Sequence, residues 1–224
     1  MDIVLVGLPG SGKSVVGKRL AHRHAATFID LDERIERDAG RTIPEIFAED
    51  GEALFRTMER RAIAALGGPT TGTGVERIIA TGGGAVVDPR NRWALYRQRA
   101  VVWLDGRPEV LAQRLRRSPH VRPLVAGRDP IGAIRDLAQR RERFYAAADL
   151  RVRGVAEVAG VLDAIEAYLA DADRSPARRR ARPWSGRRPR SGASSSATGS
   201  PRPASTRPST TSGPDGPSSS ASLG

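Results

Sequence analysis

The feature that most constrains this chain is GLPGSGKS, residues 7–14, set between an apolar run at residues 3–6 and a helical pattern that begins at Lys13. The octapeptide fits GxxxxGK[ST], and a strand before it with a helix after it is the context in which that pattern cradles phosphate. Its glycines let successive backbone N–H groups turn inward around phosphate oxygens, and the following helix N-terminus adds a favourable dipole. Gly10, Ser11, Gly12, Lys13, Ser14 and Val15 are therefore the expected nucleotide contacts, with Lys13 on the β- and γ-phosphates and Ser14 on Mg²⁺. The loop names one half of a reaction. The acceptor must be read from elsewhere.

The apolar run is continuous rather than alternating, as expected for a central parallel strand buried on both faces. Further strands are expected at residues 27–30, in RIIA before TGGG, at residues 100–105 and at residues 150–153. Helical patterns separate them: SVVGKRLAHRH, several stretches up to Ala65, residues 90–98, PEVLAQRLRR, residues 131–147, and a closing helix striped by Val158, Leu162, Ile165 and Leu169. Strands alternating with helices predict an α/β fold, a parallel sheet with helices on both faces.

Charge is unevenly placed. The chain carries a formal +12 over 224 residues, yet residues 174–224 hold ten arginines and one acidic residue, leaving residues 1–173 at +3. The basic character thus belongs to a segment of serine, proline, arginine and glycine that has too little apolar surface to offset chain entropy, and disorder is expected there. Two regions follow: a folded domain at 1–173 and an Arg/Ser/Pro-rich tail at 174–224. With one tryptophan among its 51 residues, the tail offers non-specific, salt-sensitive attraction to nucleic acid and no specific recognition of it. The chain has no cysteine, which excludes thiolate metal sites and disulfides and fits the cytoplasm. No apolar stretch is long enough to span a bilayer, so no membrane partner is expected. The three histidines lack metal-ligand spacing, and Trp93 and Trp103 read as packing residues.

Candidates for the acceptor side are individually ambiguous. Asp30 and Asp32, in FIDLD, fall at the end of the second predicted strand, where alternate residues point the same way, so both carboxylates are expected to face one site. Phosphoryl transfer needs a carboxylate near the metal shell and a group that receives the proton of the attacking hydroxyl. The alternative is that Asp32 caps the next helix. TGGG offers three positions without side chains, either for close approach of a ligand or as a flexible loop. Arg56 and Arg141, taken singly, are solvated helix residues. Arg122 lies in HVRPLVAG, whose glycine and proline suit a segment that folds over a nucleotide.

Taken together, these segments resemble the shikimate kinases over residues 1–171. GLPGSGKS, the aspartate pair in FIDLD, GRTIPEIFAEDGEALFRTMER, TGGGAV, VRPL and an arginine four residues before a tyrosine occur in that family's order and at similar spacing. The resemblance implies a P-loop fold of the nucleoside-monophosphate-kinase type, with a five-stranded parallel sheet, a substrate-binding region and a lid. It implies transfer of the ATP γ-phosphoryl group to the 3-hydroxyl of shikimate, giving shikimate 3-phosphate and ADP on the route to chorismate and the aromatic amino acids. By the same resemblance, Ser14 and Asp30 attend Mg²⁺, and Asp32 holds the reacting hydroxyl as candidate base. Arg56 and Arg141 clamp the substrate carboxylate, and Gly82 and Gly83 line shikimate. Arg122 is the lid arginine near the transferring phosphate, and Arg117 is the expected adenine contact. A monomer is expected. Val15 stands where the family often has threonine, outside the metal-ligating position. A gluconate kinase would share the phosphate loop without the TGGG and arginine set, and an adenylate kinase would read GKGT where this chain has GKSV.

Overall fold

A computed structural model describes residues 1–72, 74–117, 129–154 and 157–174. Arg122 with the segment around it, and the tail from residue 175 onward, lie outside the described residues. The strands are β1 (Asp2–Val6), β2 (Thr27–Asp30), β3 (Arg77–Ala80), β4 (Ala100–Asp105) and β5 (Leu150–Arg153). They form one sheet in the order β2-β3-β1-β4-β5, with every neighbouring pair parallel. From β1 the chain passes to one side for β2 and β3, then crosses back for β4 and β5. All strand C-termini consequently share one edge, where ligands bind in open parallel sheets.

The helices are α1 (Lys13–His24), α2 (Leu31–Ala39), α3 (Ile43–Glu49), α4 (Gly51–Ala64), α5 (Pro89–Tyr96), α6 (Pro108–Arg117), α7 (Pro130–Tyr145) and α8 (Val158–Arg174). β1 divides its side chains between two cores, as strand periodicity requires. Ile3 and Leu5 pack with Val16 and Leu20 of α1 and Leu162 and Ile165 of α8. Val4 and Val6 pack on the opposite face with residues of α2, α4, α5 and α7. Burying each of these side chains is worth about 1.5–3 kcal/mol, and all four from β1 are fully buried.

β2 has its expected bounds, but Asp30 and Asp32 do not share its end as expected. β2 stops at Asp30, and Asp32 lies in the first turn of α2. The Asp30 carboxylate caps that helix, accepting from the N–H of Asp32 at 3.0 Å and of Glu33 at 3.4 Å. An N-cap aspartate satisfies donors the helix cannot satisfy itself, so the helix begins at Leu31 and takes Asp32 with it. The argument from alternate strand residues therefore fails for this pair, and so does the alternative of Asp32 as cap, a position that Asp30 fills.

The sheet edge opposite the strand C-termini is fastened by an ion cluster. Asp2, fully buried, receives Arg77 Nη2 at 2.6 Å, Arg99 Nε at 3.0 Å and the Thr70 hydroxyl at 2.8 Å. The arginines also donate to the carbonyls of Leu66, Gly67, Gly68 and Ala94, which ties the connection before β3 and the end of α5 to β1. Burial acts to raise the Asp2 pKa, but the hydrogen bonds from Arg77, Thr70 and Arg99 outweigh it and hold the carboxyl below its ordinary value. That stabilisation is present above the ordinary aspartate pKa and is lost as pH falls through the lowered one. Removing one member of a buried ion cluster leaves its partners uncompensated, so Asp2→Ala is expected to cost about 3–5 kcal/mol in urea unfolding. A loss within about 1 kcal/mol, the range of an exposed pair, would show that the cluster is not a fastening.

Candidate active site

The loops after β1 and β3 meet at the shared strand edge. The first leaves β1 as residues 7–12 and enters α1. Gly7 has φ +147°, and a methyl group there would lie 2.6 Å from the Leu104 carbonyl oxygen, so the loop passes β4 too closely for any side chain. Gly12 precedes α1 in the left-handed conformation, and no side chain caps the first turn. The helix thus begins with N–H groups available to an anion. Lys13 is 8% exposed, and its Nζ donates to the carbonyls of Gly7 at 2.9 Å and Leu8 at 3.0 Å and to Ser11 Oγ at 3.3 Å. Phosphate oxygens are stronger acceptors than neutral carbonyls, so the ammonium is placed to exchange these partners for a nucleotide. Val15 points to solvent, 51% exposed.

Ser14 Oγ donates to Asp30 Oδ2 at 2.5 Å. A hydroxyl and a carboxylate so close beside the phosphate loop form a hard-oxygen pair suited to Mg²⁺ or its water shell. The capping bonds to the α2 backbone hold Asp30 in that place.

The acceptor side is built on residues 82–84, just past β3. A methyl group on Gly82 would lie 2.7 Å from Asp32 Oδ1 and 3.2 Å from Glu59 Oε1. One on Gly83 would lie 2.7 Å from Pro9 Cδ, and one on Gly84 would lie 2.8 Å from both terminal nitrogens of Arg56. On its other side, the Gly83 carbonyl accepts from Arg141 Nη1 at 2.9 Å. The structure thus brings Asp32, Arg56, Gly82, Gly83 and Arg141 together, one wall of the group being Pro9 of the phosphate loop. Arg56 and Arg141 are not solvated helix residues: Arg141 is 8% exposed, and Arg56 is engaged by two glutamates of its own helix.

Glu59 is a site residue that the sequence reading passed over. It is 2% exposed and accepts from Arg56 Nη1 at 3.2 and 3.1 Å. The apolar face of α4 carries Phe55, Ala62 and Ile63, and Glu59 occupies the i+4 position of that stripe, where a core residue is expected. A charge on a buried helix face was the available signal. Burial raises the Glu59 pKa above its ordinary value, the charge and hydrogen bonds of Arg56 oppose that, and the nearby Asp32 carboxylate raises it further.

Of the three arginines that end α6, Arg114 is the one beside the phosphate loop: its Nη1 lies 3.8 Å from the position of a methyl group on Gly12. Arg117, the expected adenine contact, is exposed. The helix phase explains the difference. The Leu111 carbonyl and the Leu115 side chain face Gly10, Arg114 flanks them, and Arg117 falls two residues past Leu115 on another face.

The family model for shikimate kinase matches residues 9–166. A shikimate kinase of Symbiobacterium thermophilum is 49% identical over 154 residues, covering 68% of this chain and 86% of that one. Another, from Caulobacter vibrioides, is 48% identical over 151 residues, covering 67% and 72%. Among solved structures, a shikimate kinase from Acinetobacter baumannii in complex with shikimate matches with a TM-score of 0.69 at 34% identity, covering 76% of this chain and 93% of that one.

The raised pKa of Glu59 yields a test. A carboxyl whose pKa is higher in the fold than in the unfolded chain contributes stability that is complete below the ordinary value of 4.5 and is lost as pH rises through the folded one. Urea midpoints measured from pH 4 to pH 7 should therefore shift in favour of Glu59→Gln over the parent as pH rises. A shift towards the parent over that range would contradict the assignment.

Proposed function

The chain belongs to the shikimate kinase family and phosphorylates shikimate at the expense of ATP, on the pathway to the aromatic amino acids; from that premise we propose which of its residues perform the transfer. The observation that carries the proposal is the convergence of Asp32, Arg56 and Arg141 on residues 82–84, beside the phosphate loop.

Arg56 and Arg141 bind the shikimate carboxylate. Guanidinium groups match the planar geometry of a carboxylate and form charge-assisted hydrogen bonds with it. Glu59 keeps Arg56 directed at the shelf through two bonds to one nitrogen. Because residues 82–84 lack side chains, the ring of the acceptor can lie against backbone and bring its 3-hydroxyl to Asp32. The hydroxyl oxygen then attacks the γ-phosphorus of ATP, and a new O–P bond forms as the bond to the β–γ bridging oxygen breaks. ADP departs, and the hydroxyl proton passes to the Asp32 carboxylate. Lys13 and the uncapped N-terminus of α1 hold the phosphates in line. Arg114 is the proposed contact to the nucleotide from α6, and Arg122, by family resemblance, serves the transferring phosphate.

Ser14 would hold Mg²⁺ and Asp30 its water shell, their adjacent hard oxygens being the donor type that ion takes. When bound, the ion supplies neutralisation of phosphate charge. We place the reaction in the cytoplasm and take the acting species as a monomer whose kinase domain is residues 1–173. No described helix is long and apolar enough to cross a membrane.

Purified protein with ATP and Mg²⁺ is to be offered shikimate, gluconate and nucleoside monophosphates in parallel. Turnover is expected with shikimate, and its absence would refute the proposal. Asp32→Asn should lower kcat by about 10²–10⁴-fold, the usual contribution of a positioned base, while ATP affinity is retained. Arg141→Ala should instead raise the shikimate KM by about 10–100-fold, as for loss of a charged hydrogen bond. Unchanged kinetics in either variant would remove that residue from its role. A chain ending at Asp173 should keep the turnover of the full chain, and loss of activity on truncation would show that the tail belongs to the working enzyme.

A further inference from the structure

The Gly83 carbonyl accepts from two side chains of α7, not one: Arg141 Nη1 at 2.9 Å and the Tyr145 hydroxyl at 2.5 Å. A carbonyl oxygen has two lone pairs, and here both are taken by one helix at positions one turn apart. The Tyr145 side chain has no freedom to leave. It is 2% exposed, and its ring packs against Trp103 with centroids 5.6 Å apart. Burial pushes the phenol pKa up to about 12, the charge and hydrogen bond of Arg141 partly opposing, so the hydroxyl keeps its proton and remains a donor throughout the neutral range.

The bond matters because of what lies beyond Gly83. The ring of Pro9 closes one side of this residue, and the Arg56 guanidinium lies against the next, Gly84. In a trans peptide the C=O and N–H point in opposite directions. Holding the Gly83 carbonyl towards α7 therefore turns the Gly84 N–H away from α7 and fixes the plane of the peptide on which the acceptor is proposed to lie. The same carbonyl holds Arg141 Nη1, so the orientation of that guanidinium is tied to the peptide plane. Without the hydroxyl, Arg141 would be the side chain left on this carbonyl beside the turn bonds from Ala85 N–H to the Gly82 carbonyl and from Val87 N–H to the Gly84 carbonyl, and any rotation of the peptide would carry the guanidinium with it.

We infer that Tyr145 is a positioning residue for the acceptor, its hydroxyl fixing the Gly83–Gly84 peptide and, through the shared carbonyl, the orientation of Arg141. The inference rests on the assignment of Arg141 to the shikimate carboxylate. It predicts an effect on one substrate only, whereas a hydroxyl that merely stabilises the core would affect both or neither.

The test is Tyr145→Phe in the full-length chain, which removes one oxygen and leaves the ring packed on Trp103. The shikimate KM should rise about 3–10-fold, the cost of one hydrogen bond, with kcat and ATP affinity within about two-fold. Repeating the substitution in an Arg141→Lys background supplies a double-mutant cycle, in which the rise should shrink to under about two-fold because the two groups act through one carbonyl. An unchanged shikimate KM would overturn the inference. So would equal weakening of both substrates with a lowered Tm, or an effect of undiminished size in the Arg141→Lys background. The parent protein assayed alongside separates the two claims. No turnover of shikimate by the parent refutes the assigned reaction, whereas normal parent turnover with an unperturbed variant refutes only the role of Tyr145.

Discussion

Three consecutive residues without side chains, at the end of β3, let four charged groups from three helices approach one stretch of backbone. Asp32 from α2 and Arg56 and Glu59 from α4 stand at distances where a single methyl group would collide with them or displace them, and Arg141 from α7 bonds the Gly83 carbonyl. The phosphate loop meets the same stretch through Pro9. Parallel pairing sets this up, since β1 and β3 are adjacent and in register, and their C-terminal loops must leave the sheet side by side. Donor and acceptor halves of the site are therefore neighbours because two strands are neighbours, and the glycines convert that adjacency into contact.

Electrostatics complete the arrangement. Two arginines and two carboxylates face the shelf, so their formal charges cancel before any ligand arrives. Asp32 and Glu59 are close enough to repel, and burial already disfavours the Glu59 charge, yet Arg56 bridges to Glu59 and keeps the cluster coherent. An acceptor that brings its own carboxylate adds a second partner for the guanidinium groups, and its hydroxyls find the Asp32 carboxylate. The chemistry of a carboxylated polyol and the chemistry of this shelf are complementary for that reason.

Much of this was legible in the sequence because it is local. The phosphate loop is a contiguous motif, and the alternation of buried strands with amphipathic helices predicted the parallel sheet and nearly all of its elements. What escaped notice depends on helix phase or on distant partners. In FIDLD, the two carboxylates look like alternate residues of one strand face, and only the capping geometry of Asp30 reveals that Asp32 already belongs to α2. Glu59 looks like any helical glutamate until it is placed on the stripe of Phe55 and Ile63. Arg114 and Arg117 are indistinguishable by composition, and helix phase, with Leu115 against Gly10, is what puts Arg114 beside Gly12. Asp2 opens β1 and reads as an ordinary acidic residue, and its two arginines lie 75 and 97 positions away. Tyr145 marked a family pattern, but its target, a backbone carbonyl, has no sequence signature.

The central claim, that residues 82–84 are the shelf on which the acceptor lies, is tested most directly by a crystal structure of the protein with shikimate and ADP. The account predicts the shikimate carboxylate between Arg56 and Arg141 and its reacting hydroxyl within hydrogen-bond distance of Asp32. Shikimate bound with its carboxylate away from both arginines, or its ring away from residues 82–84, would contradict it.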